Sequence, residues 1–414
     1  MTGFVLQVHI YQVSYVHVST DLSVCLCGFL SVKRRNKNLL NNSEQEFVAG
    51  RRKTVLQALK KLKIQCSRQA VPNIALLGSG GAQRAMVGLL GSLVQREKAG
   101  LLDCILYLSG VSGSTWCMAS LYKEPNWSTK LETVKEKIIE RLSGPGVSLT
   151  DAMAKLKKYY YGKDFFSLTD VWAVLVVTSI VKEIDEHTLT EQRKQHNKDP
   201  FPIYAVIDKQ SKQSNDGDPW FEINPYEAGY SLSGVFVDTG DFGSQFHKGS
   251  KIKHQDEFDM LYLQALCGSA LGDEVVIKKD IWQTIKDAGI SICKCMAQWI
   301  WGRKYNFLHN MTDEGVKSTL LQSETRDYID AGVLLNSPYF SVLREDRDID
   351  LIISLDFSQG DPFMTVKDAA ETCKKLKIPF PEVNITSEDK KKPKDFYVFK
   401  GQNTPTCYTK NPRK

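Results

Sequence analysis

Two short apolar runs constrain the fold more than any other part of this sequence, because each ends in glycine and passes at once into a helical pattern. The first, NIALLG at 73–78, leads into the glycine loop 78–81 and a helix over about 82–97. The second, CILYLSG at 104–110, leads into the tight turn 110–114 and the helix STWCMASLY. Apolar runs bounded by glycine are typical of buried strands. The repeated order of strand, loop and helix predicts an α/β fold with a mostly parallel central sheet flanked by helices.

The charge of the chain is local. The net charge is +6 over 414 residues, but residues 33–63 alone hold ten basic and two acidic residues. No nucleic-acid-binding motif accompanies this stretch, so we expect no nucleic-acid partner and favour an anionic membrane surface. The ten cysteines are scattered, several of them in apolar runs, which is typical of reduced thiols in a cytosolic protein. The pairs Cys25/Cys27 and Cys293/Cys295 lack zinc-site spacing, so no metal is expected.

Ser112, in the turn GVSGS at 110–114, is a candidate nucleophile. A serine on a sharp strand-to-helix turn has its hydroxyl lifted above the sheet edge, and small neighbours are needed because the backbone is crowded there. The N-terminus of the following helix directs its dipole at a developing oxyanion. The fifth position is Ser114 rather than the usual glycine, so a purely structural turn remains an alternative.

The glycine loop before the first helix presents backbone N–H groups to an anion. It fails the dinucleotide fingerprint, whose third glycine would fall on Gln83, and the phosphate loop, which needs Gly-Lys. The pattern therefore indicates an oxyanion hole, with a nucleotide-binding protein as a minor alternative. Arg84 lies in the first helical turn, where the dipole disfavours a cation, so a phosphate partner and a structural salt bridge are both open.

Asp330, in the segment IDAG at 329–332, is the candidate partner of the serine. The pattern predicts a carboxylate at a strand end with a tight turn behind it. In the α/β-hydrolase chain order a histidine follows the acid, whereas all seven histidines of this chain precede Asp330. If Ser112 and Asp330 work together, the carboxylate must take the serine proton directly as a general base.

Four segments in order carry a family resemblance: PNIALLGSGGAQRAMVG, LLDCILYLSGVSGSTW, IDAGVLLNSP and DLIISLDFSQGDPF. Together they resemble the catalytic domain of cytosolic (group IV) phospholipase A2, closest to the gamma, calcium-independent subtype. The resemblance runs from about residue 46 to about residue 403. It implies the patatin-like fold of that family, with a helical cap region beside the sheet.

The resemblance also implies a phospholipase A2-type serine esterase, with lysophospholipase activity beside it, that needs neither cofactor nor calcium. It would hydrolyse acyl esters at a phospholipid membrane surface through an acyl-serine, as a monomeric cytoplasmic protein that associates peripherally with membranes. By this resemblance, Ser112 would be the nucleophile and Asp330 its base. Gly81 and Ala82 would form the oxyanion hole. Arg84 and Arg347 would bind the phosphate of the substrate.

Some features depart from the family pattern. Alanine stands at position 82 where the family has glycine, no C-terminal prenylation box is present, and the match stops about one hundred residues before the family domain would end. An inactive lipid-binding remnant is therefore the alternative function. The predicted division is an unmatched extension (1–45), the catalytic domain without its last part (46–403) and a basic tail (404–414). Trp282, Trp299 and Trp301 are predicted either to contact the membrane or to pack inside a helical cap.

Overall fold

The structure, a computed structural model, describes residues 32–34, 40–214, 218–269 and 300–410. Its main sheet has twelve strands in the described residues, and a separate hairpin has two. The strands are β1 (Val32–Arg34), β2 (Ile74–Gly78), β3 (Tyr107–Gly110), β4 (Phe201–Asp208), β5 (Trp220–Ile223), β6 (Glu227–Tyr230), β7 (Val235–Asp238), β8 (Gln245–His247), β9 (Ser250–Lys253), β10 (Arg303–Tyr305), β11 (Thr325–Asp330), β12 (Leu351–Leu355), β13 (Phe396–Phe399) and β14 (Thr406–Lys410).

Helices cover both faces of the sheet. The α-helices are α1 (Asn42–Lys61), α2 (Ala82–Lys98), α3 (Gly113–Tyr122), α4 (Leu131–Ser143), α5 (Leu149–Gly162), α6 (Leu168–Trp172), α7 (Thr178–Val181), α8 (Lys209–Ser214), α9 (Met260–Cys267), α10 (Ser318–Leu321), α11 (Tyr339–Val342), α12 (Met364–Leu376) and α13 (Ser387–Lys391). One π-helical turn, Ala173–Val177, joins α6 to α7.

The centre of the sheet is parallel and its flanks are antiparallel. Ten of the twelve strands follow the order β1-β7-β6-β5-β4-β3-β2-β12-β14-β13, and the other two lie off this path, where β11 pairs with β4 and β10 pairs with β11. The five central strands, β4, β3, β2, β12 and β14, pair in parallel. All residues of β2, β3 and β4 are buried, as expected for parallel strands covered by helices on both faces. The predicted α/β fold with parallel central strands flanked by helices is confirmed.

Two apolar cores fill the layers on either side. Residues of α2 and α3, such as Leu89 and Trp116, pack in the larger core, whereas Val366 and Cys373 of α12 pack in the other. Alternate residues of β2 enter opposite cores, Leu76 the first and Leu77 the second. This alternation follows from the two-residue period of a strand and explains why residues 74–77 (IALL) are all apolar.

The structure corrects the predicted boundaries at both ends. Helix α1 begins at Asn42, inside the segment 1–45 that was predicted as an unmatched extension, and the Asn41 side chain caps its first turn by accepting from the Ser43 N–H. Residues 404–414 were predicted as a basic tail, yet Thr406–Lys410 form strand β14 between β12 and β13. Cys407 and Thr409 are buried there. The segment was predicted as a tail because of its basic residues, although alternate residues of β14 are buried as in a strand.

Candidate active site

Ser112 occupies the strained turn that its sequence context predicts. It directly follows β3 and precedes α3, and its φ of 50° and ψ of −128° lie where L-residues are rarely found. Backbone bonds hold the turn, since the Ser112 N–H donates to the Cys267 carbonyl at 3.0 Å and Thr115 donates back to the Ser112 carbonyl. Ser112 is only 7% exposed. Its hydroxyl makes no hydrogen bond within the described part of the chain.

The glycine loop and the serine turn interlock. A Cβ placed on Gly80 would lie 2.8 Å from the Ser112 Cβ, and a Cβ placed on Gly113 would lie 1.9 Å from the Ala82 carbonyl oxygen. Side chains at these two positions would therefore push the loops apart. Ala82 itself has a φ of 50°, a positive angle that glycine adopts readily and alanine does not, so this alanine has an unfavourable backbone conformation.

Backbone donors converge on this turn. Helix α2 begins at Ala82 and α3 at Gly113, so two helix N-termini lie beside Ser112. The N–H groups of Gly81, Ala82 and Gly113 donate to no acceptor among the residues that the structure describes. Free N–H groups at helix N-termini favour negative charge, which is the electrostatic requirement of an oxyanion hole.

The register of the sheet brings Asp330 to the same place. Strand β4 has β5 along one edge, because Tyr204 to Ile207 pair with it. The other edge is shared: β3 runs parallel to β4 and ends with Gly110 opposite Tyr204, while β11 runs antiparallel and ends with Asp330 opposite Val206. The carboxyl ends of β3 and β11 thus meet head to head, separated by two residues of β4, or roughly 7 Å.

The Asp330 carboxylate is buried and oriented by its own turn. Its Oδ1 accepts from the Gly332 N–H at 2.7 Å, and its backbone N–H donates to the Ser269 hydroxyl. Burial, together with the nearby Asp330 charge, raises the pKa of the Cys267 thiol well above its usual range. The carbonyl of Cys267 is the one that holds Ser112, so the serine, the thiol and the carboxylate are close neighbours.

Arg84 lies at the rim of the oxyanion loop. Its side chain is exposed, its Nε donates to the Phe357 carbonyl at 2.8 Å, and its Nη2 would lie 3.3 Å from a Cβ placed on Gly81. Arg84 forms no ion pair with a residue in the described ranges, in contrast to the salt-bridge alternative. The two terminal nitrogens of the guanidinium are thus available to an anion that approaches Gly81.

The structure does not bring Arg347 to this site. Its side chain is fully buried, and it binds Glu44 at 2.9 Å and Glu222 at 2.6 Å, with a further bond to the Ser341 carbonyl. Its guanidinium faces the ring of Tyr107 at the amino end of β3, opposite to the Ser112 end. This position contradicts the predicted phosphate-binding role of Arg347, because all of its donors are directed at protein acceptors.

The described histidines lie elsewhere. His196 and His187 contact Asp199 and Asp185, the rings of His247 and His309 contact each other, and His254 is exposed. No group of three metal-ligating side chains is arranged for a metal within the described ranges. Trp301 is 4% exposed and packs on Trp172, which supports the core alternative for this residue, whereas Trp282 and Trp299 lie outside the described residues.

Asn336 is a site residue that the sequence interpretation missed. Its Oδ1 accepts from the Gly80 N–H at 3.1 Å, and its Nδ2 donates to the Gly80 carbonyl at 3.3 Å and to the Ser358 hydroxyl at 2.7 Å. Ser358 in turn donates to the Asp356 carboxylate. Polar residues that follow buried strands are a sign of a site, and both LLNSP and DFSQG contain them. No local pattern, however, indicates that these two segments meet.

No helix in the part of the chain that the structure describes combines the length and the apolar character needed to cross a bilayer.

The chain is similar in sequence to known proteins. A family model described as the lysophospholipase catalytic domain matches residues 74–363, which include the serine turn, the glycine loop and Asp330. Cytosolic phospholipase A2 gamma from Homo sapiens is 30% identical over 463 residues, covering 88% of this chain and 83% of that protein. Its counterpart from Mus musculus is 29% identical over 495 residues, covering 88% of this chain and 81% of that protein.

Solved structures show the same fold. The human GIVD cytosolic phospholipase A2 superimposes with a TM-score of 0.78 at 26% identity, covering 92% of this chain. This chain spans 56% of that protein's length. Another structure of the human enzyme, in complex with methyl gamma-linolenyl fluorophosphonate, matches with a TM-score of 0.72 at 26% identity, covering 92% of this chain and 55% of that one.

Proposed function

The chain belongs to the lysophospholipase catalytic-domain family and carries the catalytic domain of a phospholipase A2-type enzyme, and on that basis we propose a mechanism in which Ser112 and Asp330 form a catalytic dyad. The substrates would be glycerophospholipids and lysophospholipids. The observation that carries this proposal is the head-to-head meeting of β3 and β11 on one edge of β4, which brings the turn of Ser112 and the strand end at Asp330 together.

The acylation step needs one proton transfer. Asp330 takes the proton of the Ser112 hydroxyl as the serine oxygen attacks the ester carbonyl, and the Gly81 and Ala82 N–H groups stabilise the oxyanion. Collapse of the tetrahedral intermediate forms the acyl-serine and expels the lysophospholipid oxygen, which receives the proton from Asp330. Water then attacks the acyl-serine in the same way and releases the fatty acid.

We assign the phosphate of the substrate to Arg84. Its guanidinium is exposed, carries no described ion pair and lies against Gly81. A phosphate diester bound there holds an acyl ester over the serine by a charge-assisted contact. We propose further that the protein works as a cytoplasmic monomer at a phospholipid surface, without calcium, and that it binds no nucleic acid.

A labelling experiment tests the dyad. Wild-type protein incubated with a fatty-acyl fluorophosphonate should become modified on Ser112, as peptide mapping would show. Asp330→Asn should abolish both labelling and fatty-acid release from vesicles, because the serine then lacks its base. The matched control is Asp361→Asn, an exposed carboxylate beyond β12, which should label like wild type. Modification of another serine, or full activity of Ser112→Ala, would contradict the proposal.

An inactive lipid-binding protein is the second candidate, and the positive φ of Ala82 is the observation that favours it. Strain at this position could displace an oxyanion donor. Ala82→Gly distinguishes the two: a wild-type chain that binds vesicles without turnover, together with an active Ala82→Gly variant, would support the second candidate.

A further inference from the structure

We propose that Asn336 is a positioning residue for acyl transfer, which holds Gly80 so that the N–H groups of Gly81 and Ala82 face the tetrahedral oxygen. This inference rests on the proposed function and adds a residue to it. It concerns the geometry of the oxyanion loop and not the identity of nucleophile or base.

Asn336 holds both backbone groups of Gly80 at once. Its Oδ1 accepts from the Gly80 N–H and its Nδ2 donates to the Gly80 carbonyl, while its own carbonyl also accepts from the Gly80 N–H at 3.3 Å. Fixing the peptide groups on both sides of Gly80 sets the direction in which the next N–H groups point. Those groups are the free donors of Gly81 and Ala82.

The loop is confined between Asn336 and the nucleophile. A Cβ on Gly80 would lie 2.3 Å from the Asn336 Oδ1 and 2.8 Å from the Ser112 Cβ. A Cβ on Gly332 would lie 3.1 Å from both the Asn336 Oδ1 and the Asp330 Oδ1. Asn336 therefore stands between the oxyanion loop and the turn of Asp330, so it sets their separation.

A second layer of hydrogen bonds orients Asn336. Its Nδ2 donates to Ser358, whose hydroxyl donates to the Asp356 carboxylate, and Ser79 donates to that same carboxylate at 3.3 Å. The hydroxyl of Ser79 also accepts from the Phe357 N–H at 2.6 Å. This chain of bonds starts and ends at the glycine loop, so only one orientation of the amide satisfies all partners.

Each polar atom of the Asn336 amide bonds to protein in this arrangement. Asn336 therefore acts through Gly80 and not by direct contact with substrate. A small displacement of oxyanion donors lowers the rate of the chemical step while leaving ground-state binding intact. That split between kcat and KM separates positioning from a general loss of structure.

The test compares Asn336→Ala and Asn336→Asp with wild type in hydrolysis of a soluble short-chain phospholipid. We expect Asn336→Ala to lower kcat about 30- to 100-fold with KM changed less than about threefold. A fatty-acyl trifluoromethyl ketone, which binds serine esterases as an anionic hemiketal, should lose affinity by a similar factor. A non-hydrolysable ether phospholipid should bind as it does to wild type. Asn336→Asp keeps the acceptor for the Gly80 N–H, so its loss should be smaller.

Asn306→Ala is the matched control, because Asn306 is buried and its amide donates to the Leu320 and Ser323 carbonyls away from the site. This variant should lower the melting temperature of the protein. It should not change the ratio between the affinity for the trifluoromethyl ketone and the affinity for the ether phospholipid. The inference would be overturned if each Asn336 variant bound the trifluoromethyl ketone and the ether phospholipid more weakly by the same factor, or if kcat did not change. If wild type itself shows no turnover and no labelling of Ser112, the proposed function fails and the inference falls with it.

Discussion

At the scale of single residues, close backbone approach explains why glycine is needed at particular positions of the site. Gly113 faces the Ala82 carbonyl so closely that a Cβ would overlap it at 1.9 Å, whereas a Cβ on Gly91, in the middle of α2, would meet nothing within 4 Å. The two glycines differ in their surroundings and not in local sequence propensity.

We therefore expect opposite effects from two alanine substitutions. Gly113→Ala should separate the serine turn from the oxyanion loop and lower kcat by about 100-fold or more. Gly91→Ala should raise the free energy of unfolding by roughly 0.5–1 kcal/mol, since glycine is a poor helix former. Kinetics and thermal denaturation of both variants provide the check. A Gly113→Ala enzyme with wild-type kcat would refute the close approach.

Lys304 is a buried amine outside the site. Its Nζ lies 4.1 Å from the centre of the Tyr262 ring and 5.7 Å from that of Phe258. Burial, reinforced by the charge of Lys163, lowers the pKa of Lys304 to about 7. The unfolded chain keeps this proton to about pH 10.4. The unfolded state therefore binds more protons between these values, and the contribution of Lys304 to stability rises with pH across that window.

Lys304→Met should accordingly stabilise the protein by about 2 kcal/mol near pH 7, because it removes a buried charge and keeps the contact with the rings. The gain should shrink as pH rises toward 10, where the wild-type amine is neutral in both states. Urea denaturation at pH 7 and pH 9.5 measures it, with the partly exposed Lys251→Met as control. A gain that grew with pH would contradict the assignment.

At the scale of elements, buried charges attach helix α1 to the sheet. Arg347 precedes β12 and binds Glu44 on α1 and Glu222 on β5, all with fully buried side chains. Burial would lower the pKa of Arg347, but Glu222 and Glu44 raise it well above its ordinary value, so the arginine stays charged. This cluster gives Arg347 a structural role in place of the predicted one.

Removing Arg347 should leave Glu44 without the ion pair that it forms with this arginine, and Glu222 with Arg344 as its remaining cationic partner. We expect Arg347→Met to lower the free energy of unfolding by about 3–5 kcal/mol. Lys98→Met, which breaks an exposed ion pair with Glu132, should change it by less than about 1 kcal/mol. Chemical denaturation of both variants is the measurement. An Arg347→Met protein as stable as wild type but impaired in phosphate binding would restore the predicted role.

At the scale of the whole molecule, strand β14 joins the last described residues to the main sheet, where it lies between β12 and β13. Cys407 on β14 and Cys373 on α12 pack in the same core, and burial raises the pKa of each thiol to about 12. Cys66 is only half-buried. Thiol reactivity therefore reports whether this strand opens alone or with the domain.

We expect iodoacetamide to alkylate Cys407 and Cys373 at least about 100-fold more slowly than Cys66 at pH 8, because the buried thiolates are scarce and shielded. Both should become reactive together as denaturant unfolds the protein. Peptide mapping by mass spectrometry follows each thiol separately. Rapid labelling of Cys407 alone would show that 406–410 detach from the sheet as a tail.

The sequence by itself determined the local elements: the buried strands, the glycine loop, the serine turn and the carboxylate at a strand end. These elements can be predicted from short-range patterns, because the spacing of apolar residues, the positions of glycines and the starts of helices each depend on only a few neighbouring residues. Only the tertiary structure decided which of them meet. The pairing of β3 and β11 on one edge of β4, the capture of Gly80 by Asn336 and the burial of Arg347 between two glutamates all join residues far apart in the chain. An arginine or asparagine has the same local signature whether it faces a substrate or a buried partner, so its role depends on the packing that surrounds it.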